Sequence, residues 1–157
     1  ARALDDMELG ALLHDIGMIN VPEATLRKPG PLSDQEWAQV HRHPQLGAEM
    51  LRECEPLAPA LPIVLQHHER VDGKGYPARL RGDEISLSAR IFAVVDAYEA
   101  LTHTRPHAGA VSDETAREEI TRCRSTHFDA AVVDAFLAIE PEEWKRPSVA
   151  PRAVGES

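Results

Sequence analysis

The sequence predicts an all-α domain. Three observations carry that prediction. Apolar residues recur at the three- and four-residue spacing of a helix face, and nowhere does the period-two alternation of a half-buried strand persist. Proline, glycine and capping residues cluster between the periodic segments. Hydrophobic residues make up 43% of the 157 residues, which separates the chain from disordered sequences and supplies one sizeable core.

The elements follow in chain order. "DDMELGALLHDIG" sets Met7, Leu9, Ala11, Leu12, Leu13 and Ile16 on a helical period, with Asp5 or Asp6 as its cap and Gly17 as its stop. "NVPEATLRKPGPLS" carries three prolines and a glycine and reads as loop. "SDQE", Ser33 to Glu36, is a capping box that opens the next helix. Pro44 interrupts that helix, so "HPQLGAEMLRE" starts a new one. "APALPIVLQHHE" reads as a short buried helix ending at a double histidine. Residues 71–85, with Gly73, Gly75, Pro77 and Gly82, form a loop. "SLSARIFAVVDAYEALTH" is the most apolar segment and the expected central helix. Ser112 caps the amphipathic "SDETAREEITRCR", and "FDAAVVDAFLAI" is the expected last helix. The tail from Pro141 onward is expected to be poorly ordered. Trp37, Phe92, Phe128 and Phe136 are assigned to the core, and His41, His103, His107 and His127 to surface or packing roles. Glu118 and Glu119 read as a solvated helix face.

Composition excludes several function classes. A net charge of −9 and a pI near 5.3 argue against a DNA-binding surface, which needs a basic face. A phosphorylated ligand would instead need a local positive charge, and bound metal ions supply one. No run approaches the ~20 apolar residues of a membrane span, and the polar start "ARALDDMELG" does not resemble a signal peptide. Cys54 and Cys123 lie far apart without a CxxC spacing, so a structural zinc site is not expected and both read as reduced thiols of a cytoplasmic protein. The sequence begins without methionine, which suggests a fragment of a longer protein.

Metal-ligand residue types fall in four places: His14 with Asp15, His43, His67 with His68, and Asp96. Asp96 interrupts the apolar run "IFAVVDAYEAL", where a carboxylate is costly unless paired or bound to a metal. Taken singly, a buried His or Asp is more often a hydrogen-bonded structural residue than a ligand. Neighbouring helical residues point about 100° apart, so His14 and Asp15 do not chelate one ion as an i, i+4 pair does. They can address two ions if Asp15 bridges. Imidazole and carboxylate together suit iron, manganese or zinc. A pair of such ions ~3.5–4 Å apart serves phosphate-ester hydrolysis.

In combination, these motifs resemble the HD-GYP family, a branch of the HD-domain metal-dependent phosphohydrolases. "LLHDIG" resembles its HD motif and "RKPGPLSDQEWAQVHRHPQLGAEML" its connecting segment. "HHERVDGKGYP" is similar to the family signature, and "ARIFAVVDAYEALTHTRP" to its final motif. The likeness runs from Leu9 to Ile139. It implies an HD-type helical bundle with a metal site in the core and a GYP loop at its mouth. It implies two or three divalent ions, iron or manganese, held by His14, Asp15, His43, His67, His68 and Asp96, with His14 and Asp15 as the catalytic pair. It further implies substrate contacts from Lys74, Gly75, Tyr76 and Arg105, and hydrolysis of cyclic di-GMP to linear pGpG and/or GMP in bacterial signalling. The partners it implies are a sensor or receiver domain in cis, a diguanylate-cyclase (GGDEF) domain at the GYP loop, and a second copy in a homodimer, with neither DNA nor a membrane contacted by this chain. Residues 1–140 would form the domain, lacking an N-terminal helix of the family, and 141–157 a tail.

Three departures qualify the likeness. Met18 stands where the family has a lysine that contacts phosphate. His107 and Ala108 stand where it has an aromatic and a basic residue. The family's upstream helix, with a further His and in some members a Glu, has no counterpart in these residues, and is expected either to lie in a part of the protein beyond them or to be missing from a truncated domain. Each charge-assisted contact contributes about 1.5–3 kcal/mol, so losing two weakens binding ~100-fold or more. The departures keep two alternatives open: a catalytically weak or inactive nucleotide-binding or partner-docking module, and a hydrolase of another phosphate ester.

Overall fold

The computed structural model describes residues 2–103 and 109–144. Among them there is no β-strand, only isolated bridges between Asp72 and Arg81 and between Arg124 and Phe128. The helices are α1 (Arg2–Leu13), α2 (Glu23–Leu26), α3 (Asp34–Val40), α4 (His43–Arg52), α5 (Leu61–Gln66), α6 (Leu87–Thr102), α7 (Asp113–Arg122), α8 (Ala130–Leu137) and α9 (Pro141–Trp144). Short 3-10 turns fill Ile16–Asn20, Glu55–Ala60 and Gly82–Glu84.

Side-chain caps set several helix starts. Ser33 accepts from the Glu36 amide while the Glu36 carboxylate accepts from the Ser33 amide, so the expected capping box forms. Ser86, Ser112 and Asp129 cap α6, α7 and α8 by accepting from first-turn amides with their side chains. The apolar stripes then pack into two clusters. Ala48, Leu51, Ala60 and Val64 gather with Leu9, Leu13 and Ile16, joining α1, α4 and α5. Val94, Tyr98, Ala116, Ile120, Val133 and Phe136 join α6, α7 and α8. Helix α5 packs on α6, and the histidines lie where the two halves meet.

The structure corrects the element boundaries in four places. Helix α1 begins at Arg2, so Asp5 sits in its first turn rather than at its cap, and it ends at Leu13, before His14. Gly17 does not stop it; it lies in the following 3-10 turn, where an added Cβ would collide with the His43 carbonyl oxygen. The expected loop at 20–33 contains the four-residue α2, whose Thr25 is buried and donates to Gln39 Oε1. Trp37 is 47% exposed, because α3 buries none of its residues. Helix α8 is followed by α9, so residues 141–144 of the presumed tail are helical, and the rest of that tail lies outside the described residues. Of the other aromatic residues assigned to the core, Phe92 and Phe136 are buried and Phe128 packs half-buried against the α6–α8 cluster.

Arg90 of α6 ties the two ends of the second cluster. Its Nη1 donates to Asp129 Oδ2 at 2.8 Å and to Asp83 Oδ1 at 2.8 Å. Asp129 Oδ1 accepts in turn from the Ala131 and Val132 amides. Burial raises the Asp129 pKa, but Arg90 and the two amides outweigh it and hold the carboxyl below its ordinary value. A group with a depressed native pKa adds stability above its unfolded pKa and loses it as pH falls through the native one. Asp129→Ala is therefore expected to cost about 2–3 kcal/mol at neutral pH, as the loss of a cap and a charged pair. In urea titrations the difference from wild type should hold at pH 7 and be lost as pH falls below the carboxyl's ordinary value of ~3.9.

Candidate metal centre

The short α1 places His14 and Asp15 on the turn beyond its end rather than side by side on a helix. His43 is the first residue of α4, His67 caps α5, and His68 follows it. Gly17 permits this arrangement, since its bare Cα lets the turn carrying Asp15 lie against the backbone at His43 and Gly47.

Three imidazoles are oriented from behind. Nδ1 of His14 lies 2.7 Å from the Ala11 carbonyl oxygen, and Nδ1 of His43 lies 2.7 Å from that of Val40. Nδ1 of His67 lies 3.1 Å from the carbonyl oxygens of Ile63 and Val64. A carbonyl oxygen only accepts, so each Nδ1 carries a proton and each Nε2 presents a lone pair. Those lone pairs converge on Asp15. Its Oδ2 is 3.2 Å from His14 Nε2, and its Oδ1 is 3.2 Å from His43 Nε2 and 3.7 Å from His67 Nε2. The Nε2 atoms of His43 and His67 are 3.1 Å apart. One ligand atom each from Asp15, His43, His67 and His68 falls within 4.8 Å of the others.

The Nε2 atoms of His14, His43 and His67 and the Asp15 carboxylate thus face one another as acceptors. Two imidazole lone pairs and a carboxylate at these distances repel unless a cation stands among them. The donor chemistry fits a divalent metal, with backbone carbonyls as the supporting shell. Asp15 has imidazoles on both of its oxygens, so either oxygen could serve as a ligand atom.

Electrostatics points the same way. Protons shared with the His14, His43 and His67 imidazoles, whose place a cation would take, hold the Asp15 carboxyl far below the usual carboxylate range. The bond to Asp15 raises His14, against the opposing effect of burial. Burial, with His67 and His43 nearby, pushes His68 down to about 3, so it is neutral at physiological pH, as a ligand imidazole must be. Asp96 stands on α6 beside this group and lines a cavity of about 390 Å³ with His67, His68, Lys74, Gly75 and Tyr76. The structure thus brings together the residues of all four predicted places. Met18 is half-buried in the 3-10 turn next to Asp15. Arg105, His107 and Ala108 lie outside the described residues.

The loop after the double histidine forms one wall. Gly75 is buried, and a Cβ there would collide with the Arg70 amide nitrogen and the His68 carbonyl oxygen. Tyr76 stacks on His68 at a centroid distance of 4.7 Å, and burial raises its hydroxyl pKa. Two contributors escaped the sequence reading. Glu69 is buried, and its carboxylate accepts from the amides of Ala78, Arg79 and Leu80 at 2.6, 3.1 and 3.0 Å. A charged residue directly after the double histidine was its only signal. His127, assigned a surface or packing role, lines the cavity, and its carbonyl and that of Thr126 accept from the Val71 and Asp72 amides. Nothing in its local sequence marks it.

Fold and centre together define a class: a helical domain built around an imidazole–carboxylate cluster suited to divalent cations. Comparison with known proteins gives the family. The family model described as "HD domain" matches residues 1–132, and the chain belongs to the HD-domain family, in its HD-GYP branch. It is 44% identical over 137 residues to a cyclic di-GMP phosphodiesterase of Vibrio cholerae, covering 83% of this chain and 28% of that one. It is 46% identical over 132 residues to a cyclic di-GMP phosphodiesterase of Pseudomonas aeruginosa, covering 82% and 31%. It is also 41% identical over 137 residues to 3'3'-cGAMP-specific phosphodiesterase 3 of Vibrio cholerae, covering 85% and 30%. The chain spans about a third of the length of these relatives.

Glu69 gives this wall a direct test. Removing a carboxylate that accepts three amides leaves those donors unpaired, at a cost of about 1–3 kcal/mol. Glu69→Ala is expected to raise amide hydrogen exchange selectively at Ala78, Arg79 and Leu80, measured by NMR, with α7 and α8 unchanged.

Proposed function

We propose that this domain is the hydrolytic part of a metal-dependent phosphodiesterase that opens cyclic di-GMP to linear pGpG and/or GMP. The observation that carries the reading is the convergence of His14, His43 and His67 Nε2 atoms on the two oxygens of Asp15. The names of the relatives support the substrate class.

In this reading His14, Asp15, His43, His67, His68 and Asp96 hold two or three divalent ions, iron or manganese by ligand type. When bound, such ions make water a nucleophile at neutral pH and neutralise charge on the phosphoryl oxygens. The chain's own residues do the rest. Carbonyls of Ala11, Val40 and Ile63 hold the imidazoles in the ligating tautomer. Asp15, with His14 on one oxygen, is the catalytic pair at the attacked phosphate. Lys74, Gly75 and Tyr76 border the cavity and contact the substrate, and Arg105 takes a non-bridging oxygen by a bidentate contact.

The wider setting belongs to the same proposal: a cytoplasmic enzyme domain of residues 1–140, governed by a sensor or receiver domain in cis, docking GGDEF domains through the GYP loop, and dimerising. The exposed side chains of Leu4, Leu12 and Ile19 support a further covering surface. No helix among the described residues is long and apolar enough to cross a membrane.

A second reading changes only the substrate. The 41% identity to a 3'3'-cGAMP-specific relative makes the mixed cyclic dinucleotide the competitor. Turnover of both compounds with manganese(II) or iron(II), followed by chromatography, decides between them. His67→Ala and Asp15→Asn should each reduce the rate at least ~100-fold, as outright loss of a metal ligand exceeds the 10–100-fold cost of disturbing a supporting shell. Failure of the wild-type chain to turn over either compound with either metal would leave a nucleotide-binding module.

Protons compete with metal for these imidazoles. Because Asp15 raises the His14 pKa above its ordinary value, loss of metal should begin above pH 6.5 as pH falls. Manganese(II) affinity by calorimetry is expected to weaken about tenfold or more between pH 7.5 and pH 6.

A further inference from the structure

Tyr76 separates two cavities. On one side lies the cavity of the metal-ligand residues. On the other lies a cavity of about 400 Å³ lined by His41, Gly73, Lys74, Gly75, Tyr76 and Arg79. The two share Lys74, Gly75 and Tyr76. Tyr76 stacks on His68 at 4.7 Å and on His41 at 4.1 Å, and Trp37 lies 5.5 Å beyond His41. A row of rings therefore leads from the ligand cluster out to the surface of α3.

The charge of this second cavity is out of keeping with the protein. The chain carries −9, yet Lys74 and Arg79 line the cavity, no carboxylate does, and neither side-chain cation has an ion-pair partner among the described residues. The conformation of Arg79 is also unusual. Its φ is +58°, in the left-handed region that glycine occupies without strain, and among the described non-glycine residues only Ser125 shares it. Glu69 holds the Arg79 amide in place at 3.1 Å. A large cation kept at a position that glycine would fill more comfortably points to a use for the cation.

We propose that this cavity is the second-nucleotide subsite of the cyclic dinucleotide, a proposal that rests on the phosphodiesterase reading above. A cyclic dinucleotide has two phosphodiesters. With one at the ligand cluster, the other half of the ring must lie off it, and the loop flank offers what that half requires. Arg79, with Lys74, takes the phosphate that is not being cleaved. His41, exposed and already stacked on Tyr76, takes the adjoining purine. These cations take over the substrate charge for which Met18 offers no partner.

Arg79→Gly is the decisive variant, because it removes the cation and relieves the backbone strain at once. Its melting temperature should rise, so weaker binding cannot be ascribed to a damaged fold. With manganese(II), its KM for cyclic di-GMP should rise about 10- to 100-fold, the worth of one charged hydrogen bond. His41→Ala should raise KM about tenfold, the worth of one base stack. Both should hydrolyse bis(p-nitrophenyl) phosphate, which has no second nucleotide, at the wild-type rate. KM values for cyclic di-GMP within twofold of wild type would overturn the subsite and leave the phosphodiesterase reading intact. If the wild type binds cyclic di-GMP without turnover, dissociation constants by calorimetry replace KM, and the same contrast upholds or overturns the subsite while the enzymatic reading falls. Neither binding nor turnover by the wild type would overturn both.

Discussion

The structure depends on one electrostatic constraint: imidazole lone pairs at the helix ends brought against the exposed carboxylate of Asp15. Lone pairs of like kind repel, and the burial of His43 and His67 removes the water that would relieve them on their side. The fold spends its most rigid features on holding this group. Backbone carbonyls near the ends of α1, α3 and α5 accept the Nδ1 protons of His14, His43 and His67, which fixes both tautomer and ring orientation. Helix ends are suited to this, since their last carbonyls lack partners within the helix. The break after Leu13, the start of α4 at His43 and the end of α5 before His67 are thus part of the site as well as of the fold.

Close backbone approach is the second requirement. Gly17 lets the turn with Asp15 reach α4, and Gly75 lets the GYP loop lie on the backbone of His68 to Arg70. The loop has almost no regular structure, yet its course is set. Glu69 gathers three of its amides, the 126–127 carbonyls take two more, and Tyr76 stacks on His68. A loop tied this firmly can serve as a wall with a different chemistry on each side: ligand side chains and Asp96 on one, unpaired cations and exposed rings on the other.

Much of this was legible in the sequence. Helical periodicity and the absence of alternation announced the fold class, and the capping box at Ser33 and the cap at Ser112 formed where the residue pattern placed them. The ligand residues stood out because histidines and aspartates in apolar helical contexts are costly without a purpose. Element ends were less legible. Gly17 reads locally as a helix stop, and its actual role, permitting contact with α4, involves residues about thirty positions away. Trp37 reads as core by its own hydrophobicity, but α3 buries no face and leaves it on the surface. Glu69, His41 and Arg79 carried almost no signal, for their roles come from a loop folding back over them.

The sequence by itself determined which residue types occur, the helices that carry them and hence the family, because periodicity, capping and ligand spacing are local properties of the chain. The tertiary structure decided that Asp15 stands among the imidazoles of His14, His43 and His67 with their Nε2 atoms as acceptors, and that Arg79 and His41 share a cavity with the GYP loop. These are distances between segments far apart in sequence, and no local preference encodes them. They arise only when α1, α4, α5 and α6 pack and the loop closes on Glu69.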